Sequence, residues 1–222
     1  MIIRSIYEEM EKSAAFIPGN VNVKLVFRHS IRPSLKGCDN PDEVPLTQEG
    51  VCLARFFGRE IGMEIGFVGT NRAQRCCETV ARMLEARHQD TNIIVISDAL
   101  SLSYVKDSAL LKTSTSGKMS LKNLVLKNNK GEIIPGMNSL EDSVRGILDY
   151  IFSVGNRVNM LDLFCTHDFQ IMMIASLLFT RYVTREEIEG NWPRMLEGVF
   201  FWGERNDFYC SWRGEIKHYL DF

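Results

Sequence analysis

Apolar positions along the chain repeat with two different periods, and the changes between them divide it into elements. Residues 21–27 alternate and are rich in β-branched side chains, which predicts a strand that runs directly into a charged loop over 28–42. Thr47 is placed to cap a helix over 48–61, with Val51, Ala54, Phe57 and Ile61 at helical spacing and Gly62 as its stop. A short strand is predicted at 65–70. A helix follows at about 71–87, its inner face marked by Ala73, Cys77, Val80 and Leu84, and then a continuous apolar run at 93–96 that reads as a buried strand.

The stretch 98–137 breaks the pattern. It is rich in Ser, Lys, Asn and Gly with little periodicity, a composition that suits a mobile insertion or lid on the surface of one single domain spanning 1–222. Order returns at Ser139, which opens a helix to about residue 153. A strand at 161–166, a strongly apolar helix at 169–179 and an antiparallel hairpin from 198–202 and 208–212 complete the chain. Strands alternating with helices imply an α/β sandwich around a mostly parallel sheet. The first 16 residues mix acidic and apolar positions and predict a short amphipathic helix lying on the domain.

Charge and cysteine usage narrow the function classes. With 26 Lys and Arg against 28 Asp and Glu, the net charge of −2 provides no overall basic field, so nucleic acid and membrane surfaces are not the expected partners. No stretch approaches the ~18 consecutive apolar residues of a membrane span, and the N-terminal segment lacks the uninterrupted apolar run of an export signal. The six cysteines show no C-x-x-C spacing and are expected to be reduced thiols in a cytoplasmic protein. Adjacent Cys76 and Cys77 point in different directions on a helix, so packing is favoured over metal binding.

Three predicted strands end in basic or histidine residues: Phe27 leads into Arg28-His29, Thr70 into Asn71-Arg72 and on to Arg75, and Thr166 into His167-Asp168. Ligands of open α/β sheets bind at the carboxyl ends of the strands, so the three clusters can face one crevice. Arg28, Arg32 and Arg75 crowded there would repel one another, and a dianionic phosphate would relieve them through bidentate hydrogen bonds. The convergence predicts a phosphoryl site.

The motifs at these strand ends resemble those of the histidine phosphatase superfamily, and within it the histidine acid phosphatase branch. Arg28-His29-Ser30-Ile31-Arg32-Pro33 resembles R-H-G-x-R-x-P. Residues 70–79 resemble T-S-x-x-x-R-x-x-x-T and place a phosphate-binding arginine at Arg75, with Arg72, one turn away, as the alternative. Thr166-His167-Asp168 resembles the H-D pair of the acid phosphatase branch, and Asn191-Trp192-Pro193 resembles part of its C-terminal region. The resemblance implies a three-layer, phosphoglycerate mutase-like fold with a small variable insertion. It also implies that His29 attacks phosphorus, that Arg28, Arg32, Arg75 and His167 hold the non-bridging oxygens, and that Asp168 is the general acid and base. No metal and no cofactor is called for.

The implied substrate is a phosphorylated small molecule or phosphoprotein. Specificity is expected in the loop at 34–44 and in the 98–137 segment. A phosphoglycerate-mutase-like phosphotransferase and a non-catalytic phospholigand-binding module are the competing readings. Ser30 stands where the family usually has glycine; its hydroxyl could donate to the phosphate or narrow the pocket. Asp168 could also cap the helix that begins at Phe169.

Overall fold

The computed structural model describes residues 7–115 and 119–222. Strands β1 (Val23–Arg28), β2 (Glu64–Thr70), β3 (Ile94–Ile96), β4 (Met160–Thr166), β5 (Gly198–Glu204), β6 (Asp207–Trp212) and β7 (Glu215–Leu220) form one sheet in the order β3-β2-β4-β1-β5-β6-β7. The β3-β2-β4-β1 half is parallel, and β5, β6 and β7 continue it antiparallel. The sheet is therefore mixed, with half of its pairings antiparallel.

Strand alternation builds the three layers, because successive side chains leave opposite faces of the sheet. Leu25, Phe27, Leu163 and Phe200 join one apolar cluster with Ala54 and Phe57 of α2 (Gln48–Glu60) and Val80 and Met83 of α3 (Gln74–Glu85). Val26, Phe164 and Phe201 join the other with Val144, Ile147 and Ile151 of α6 (Leu140–Ser153) and with α7 (Asp168–Leu178). The helix α7 is apolar all round because nearly its whole surface is buried. At the N-terminus α1 (Glu8–Ala14) packs Met10 and Ala14 onto the first cluster; that part of the expected amphipathic helix lying at residues 1–6 falls outside the described residues.

Local signals explain the helix starts. Thr47 accepts a hydrogen bond from the Gly50 amide, and Ser139 accepts one from the Asp142 amide. The α3 helix begins at Gln74, later than the expected 71, because the side-chain oxygen of Asn71 accepts from the Ala73 amide and holds a turn there.

Four expectations are corrected. First, β3 is an edge strand rather than a buried one: Val95 is 44% and Ile96 57% exposed. Second, Cys76, not Cys77, lies on the buried face of α3. Third, the described part of 98–137 is substantially helical, with α4 (Ser108–Ser114) and α5 (Leu121–Asn129). Its Leu100, Leu124, Val125, Ile134 and Met137 enter the main apolar cluster, so the segment is built into the domain. Fourth, the C-terminal hairpin has a third strand, β7. The last helix, α8 (Arg185–Gly190), is closed by a capping box between Thr184 and Glu187.

Candidate active site

The order β2-β4-β1 brings three parallel strands to one edge, where Arg28 lies level with Thr166 and Thr70 with Cys165. The residues following these strands consequently meet in one crevice of about 580 Å³, lined among others by His29, Arg32, Arg75, His167 and Asp168. Loop 34–44 and the segment after β3 both contribute to its walls.

His29 is 2% exposed. Its Nδ1 lies 2.7 Å from the Ser30 carbonyl oxygen, an acceptor only, so Nδ1 carries the proton and Nε2 the free lone pair. Burial, with the neighbouring His167 and the guanidinium groups of Arg75 and Arg28, pushes its pKa down from 6.5 to about 2. A neutral imidazole with a fixed tautomer is the form that can act as a nucleophile.

Ser30 is buried and its hydroxyl is committed within the protein. Its Oγ donates to the Gly50 carbonyl at 2.8 Å and its amide donates to Thr79 Oγ1 at 3.0 Å. The Thr79 hydroxyl in turn donates to the Arg75 carbonyl, which ties the His29 loop to α3. Gly50 is required by this approach, since a Cβ there would meet the Ile31 oxygen at 2.1 Å. Ser30 itself has no positive φ, so the special backbone of a glycine is not needed at that position.

The arginines are held from behind. Arg28 Nη1 donates to the Pro193 carbonyl at 2.5 Å, and its Nη2 pairs with Asp168 at 2.9 Å. The backbone of Arg28 exchanges hydrogen bonds with Glu197 and Leu196, so the segment around Asn191-Trp192-Pro193 is its seat. Arg75 is 6% exposed and donates from Nη1 to the Pro41 carbonyl. The Nε atoms of Arg28, Arg32 and Arg75 are buried with no hydrogen-bond partner in the protein. Burial and the charge of Arg75 lower the pKa of Arg32, the signature of crowded cations. Arg72 is exposed and pairs with Asp98 at 2.9 Å, leaving Arg75 as the arginine in the cradle.

His167 packs edge-on to His29, with ring centroids 5.4 Å apart. Because Asn71 Oδ1 accepts from Ala73, its Nδ2 donates to His167 Nε2 at 2.9 Å. The other ring nitrogen lies 3.8 Å from the Cys76 sulfur. Asn71 and Cys76 thus orient His167, a role the sequence reading had not given them. Asp168 sits in the first turn of α7, where its Oδ1 accepts from the Phe169 amide while Oδ2 holds Arg28. The six cysteines are free thiols. Among the described residues no cluster of His, Cys, Asp and Glu has a metal-holding arrangement, and no helix is long and apolar enough to cross a membrane.

No family model matches the chain, and no curated protein matches it. Solved structures do. A phosphoglycerate mutase from Bacillus anthracis superposes with a TM-score of 0.57 at 13% identity, covering 92% of this chain and 96% of its own. A mycobacterial glucosyl-3-phosphoglycerate phosphatase gives 0.57 at 11% identity over 88% and 100% of the two chains. The α-ribazole phosphatase from Shigella flexneri gives 0.52 at 13% over 90% and 96%. The chain has a phosphoglycerate mutase-like α/β fold. The matches are to one phosphoglycerate mutase and two phosphatases, at identities that show shared architecture alone.

Proposed function

We propose that the protein is a phosphomonoesterase that works through a covalent phosphohistidine on His29, with Asp168 as general acid and base. The observation that carries this reading is the neutral His29 with its Nδ1 proton fixed on Ser30, set among guanidinium groups whose buried Nε atoms lack partners. The coarse expectation from the fold, phosphatase or phosphomutase chemistry, is consistent with it.

In the first step His29 Nε2 attacks phosphorus. The bond to the leaving oxygen breaks and Asp168 gives that oxygen a proton. The imidazole becomes cationic, and its Nδ1–H bond to the Ser30 carbonyl strengthens as the charge forms. In the second step Asp168 takes a proton from water, the water oxygen bonds to phosphorus, and the N–P bond breaks to return neutral His29 and inorganic phosphate. Arg28, Arg32 and Arg75 stabilise charge on the non-bridging oxygens throughout. His167, edge-on to His29, completes the wall of the cradle beside the nucleophile.

Asp168 beside His167 favours the acid phosphatase branch over a mutase, because it supplies a proton to a poor leaving group. The test is turnover of phenyl phosphate and an alkyl phosphate by wild type, His29→Ala and Asp168→Asn. His29→Ala should lose both substrates. Asp168→Asn should lose about 10²–10⁴-fold on the alkyl ester and much less on the aryl ester. Intact alkyl turnover in Asp168→Asn would assign the proton donor elsewhere.

A further inference from the structure

Beyond the phosphate cradle, the crevice changes character. Leu102 and Leu121 are 50% and 43% exposed on its wall, although each is a large apolar side chain. Leu35 adds a third apolar side chain to the lining. Tyr104 leans edge-on against buried Phe169, with ring centroids 4.7 Å apart, and presents the rest of its ring to the same space.

The charges point the same way. Arg72, one of the three arginines of the lining, makes two contacts to Asp98, at 2.9 and 3.1 Å. The remaining cations of the lining, Arg32 and Arg75, belong to the cradle. Asp42 contributes a negative charge to the wall, close enough to Tyr104 to act with burial in raising that phenol's pKa. Away from the cradle the lining therefore sets two carboxylates, Asp42 and Asp98, against the single guanidinium of Arg72, so a second anionic group would meet a net negative charge beside the leucines.

We infer that the group esterified to the phosphate is apolar and uncharged, an alkyl or aryl body seated on Leu35, Leu102, Tyr104 and Leu121, and that the site rejects substrates with a second anionic group. This rests on the phosphomonoesterase reading for turnover, but binding alone reports on it. A substrate of this class places its phosphate on the arginines and its body on the leucines. A phosphorylated hydroxy acid or a bisphosphate leaves a carboxylate or phosphate unpaired.

The test is a homologous series from methyl to hexyl. Alkylphosphonates, which cannot be hydrolysed at phosphorus, are measured by calorimetry, and the matching alkyl phosphates by kcat/KM. The leaving-group chemistry is nearly constant from ethyl onward, so the slope reads the pocket wall. A fully buried methylene is worth about fourfold. A half-open wall should return about twofold each, so hexylphosphonate should bind about thirtyfold more tightly than methylphosphonate. Leu102→Ser combined with Leu121→Ser should flatten the series and leave methylphosphonate unchanged. Affinity rising with chain length, with no phosphate turned over, would keep this inference and sink the hydrolytic reading. A flat series, or 3-phosphonopropionate binding more tightly than hexylphosphonate, would overturn the inference while leaving hydrolysis standing. Failure of every phosphonate to bind would overturn the inference, and failure of binding together with absence of turnover would overturn both.

Discussion

Two of the regions where this molecule buries charge treat it in opposite ways. Between β1 and β4, Lys24 and Asp162 are 1% and 0% exposed and pair at 3.1 Å. Every neighbour there completes the pair: Lys24 also donates to the Val154 carbonyl, and Asp162 accepts from the Phe67 and Asn156 amides. At the carboxyl ends of the same strands, Arg28, Arg32 and Arg75 crowd together with buried Nε atoms that nothing in the protein accepts. Buried polar groups are normally satisfied, so the first region is a structural clasp, while the second leaves donors uncompensated, as the proposed phosphate site requires. The difference separates charge that holds the fold from charge that the proposed function assigns to a ligand.

The sharpest way to break that comparison is to cut the clasp. Lys24→Ala leaves Asp162 buried and unpaired and should cost about 3–5 kcal/mol in denaturant unfolding. A loss under 1 kcal/mol would mean the pair is not the clasp described. Arg75→Ala should show the reverse pattern. Turnover should fall about 10²–10³-fold, while stability stays within about 1 kcal/mol, because the lost Pro41 bond is offset by relief of repulsion with Arg32.

A third measurement uses protons. Unfolded, His29 takes up a proton near pH 6.5; folded, its pKa is down at about 2. Because the folded pKa is the lower one, this contribution to stability is complete above pH 6.5 and is lost as pH falls toward 2. Between pH 7.5 and pH 5 it should remove about 2 kcal/mol, a dependence absent from His29→Asn. Equal slopes for the two proteins would mean that His29 titrates in the folded protein as it does in the unfolded chain. The smallest effect belongs to Arg72→Ala. Its ion pair with Asp98 is exposed, so unfolding should change by less than about 1 kcal/mol.

Much of this was legible in the sequence because the site is carried by side chains at strand ends. Arg28-His29, Arg75 and His167-Asp168 announce themselves once the strands are located, and strand order then delivers them to one crevice. The supports were not legible, since they are backbone carbonyls: Pro41, Pro193 and Gly50 leave no side-chain signal. For Cys76 the sequence offers only packing, because its contact with His167 depends on where α3 begins, and the Asn71 turn sets that. The three-residue apolar run of β3 looks the same whether a strand is central or at an edge. In the 98–137 segment, Leu124 and Val125 supply buried contacts from within a Lys- and Asn-rich helix, whose composition hides its inner face. The strand β7 has exposed or half-exposed positions throughout and no buried face to give it a period.

The central claim is that His29 carries the phosphoryl group. Mixing the protein with an aryl phosphate, quenching in alkali within milliseconds and mapping the phosphorylated peptide by mass spectrometry tests it directly, since phosphohistidine survives alkali. The account predicts one phosphate on His29 in wild type, and a phosphoenzyme that accumulates in Asp168→Asn. Phosphate found on another residue, or sustained turnover by His29→Ala, would contradict it.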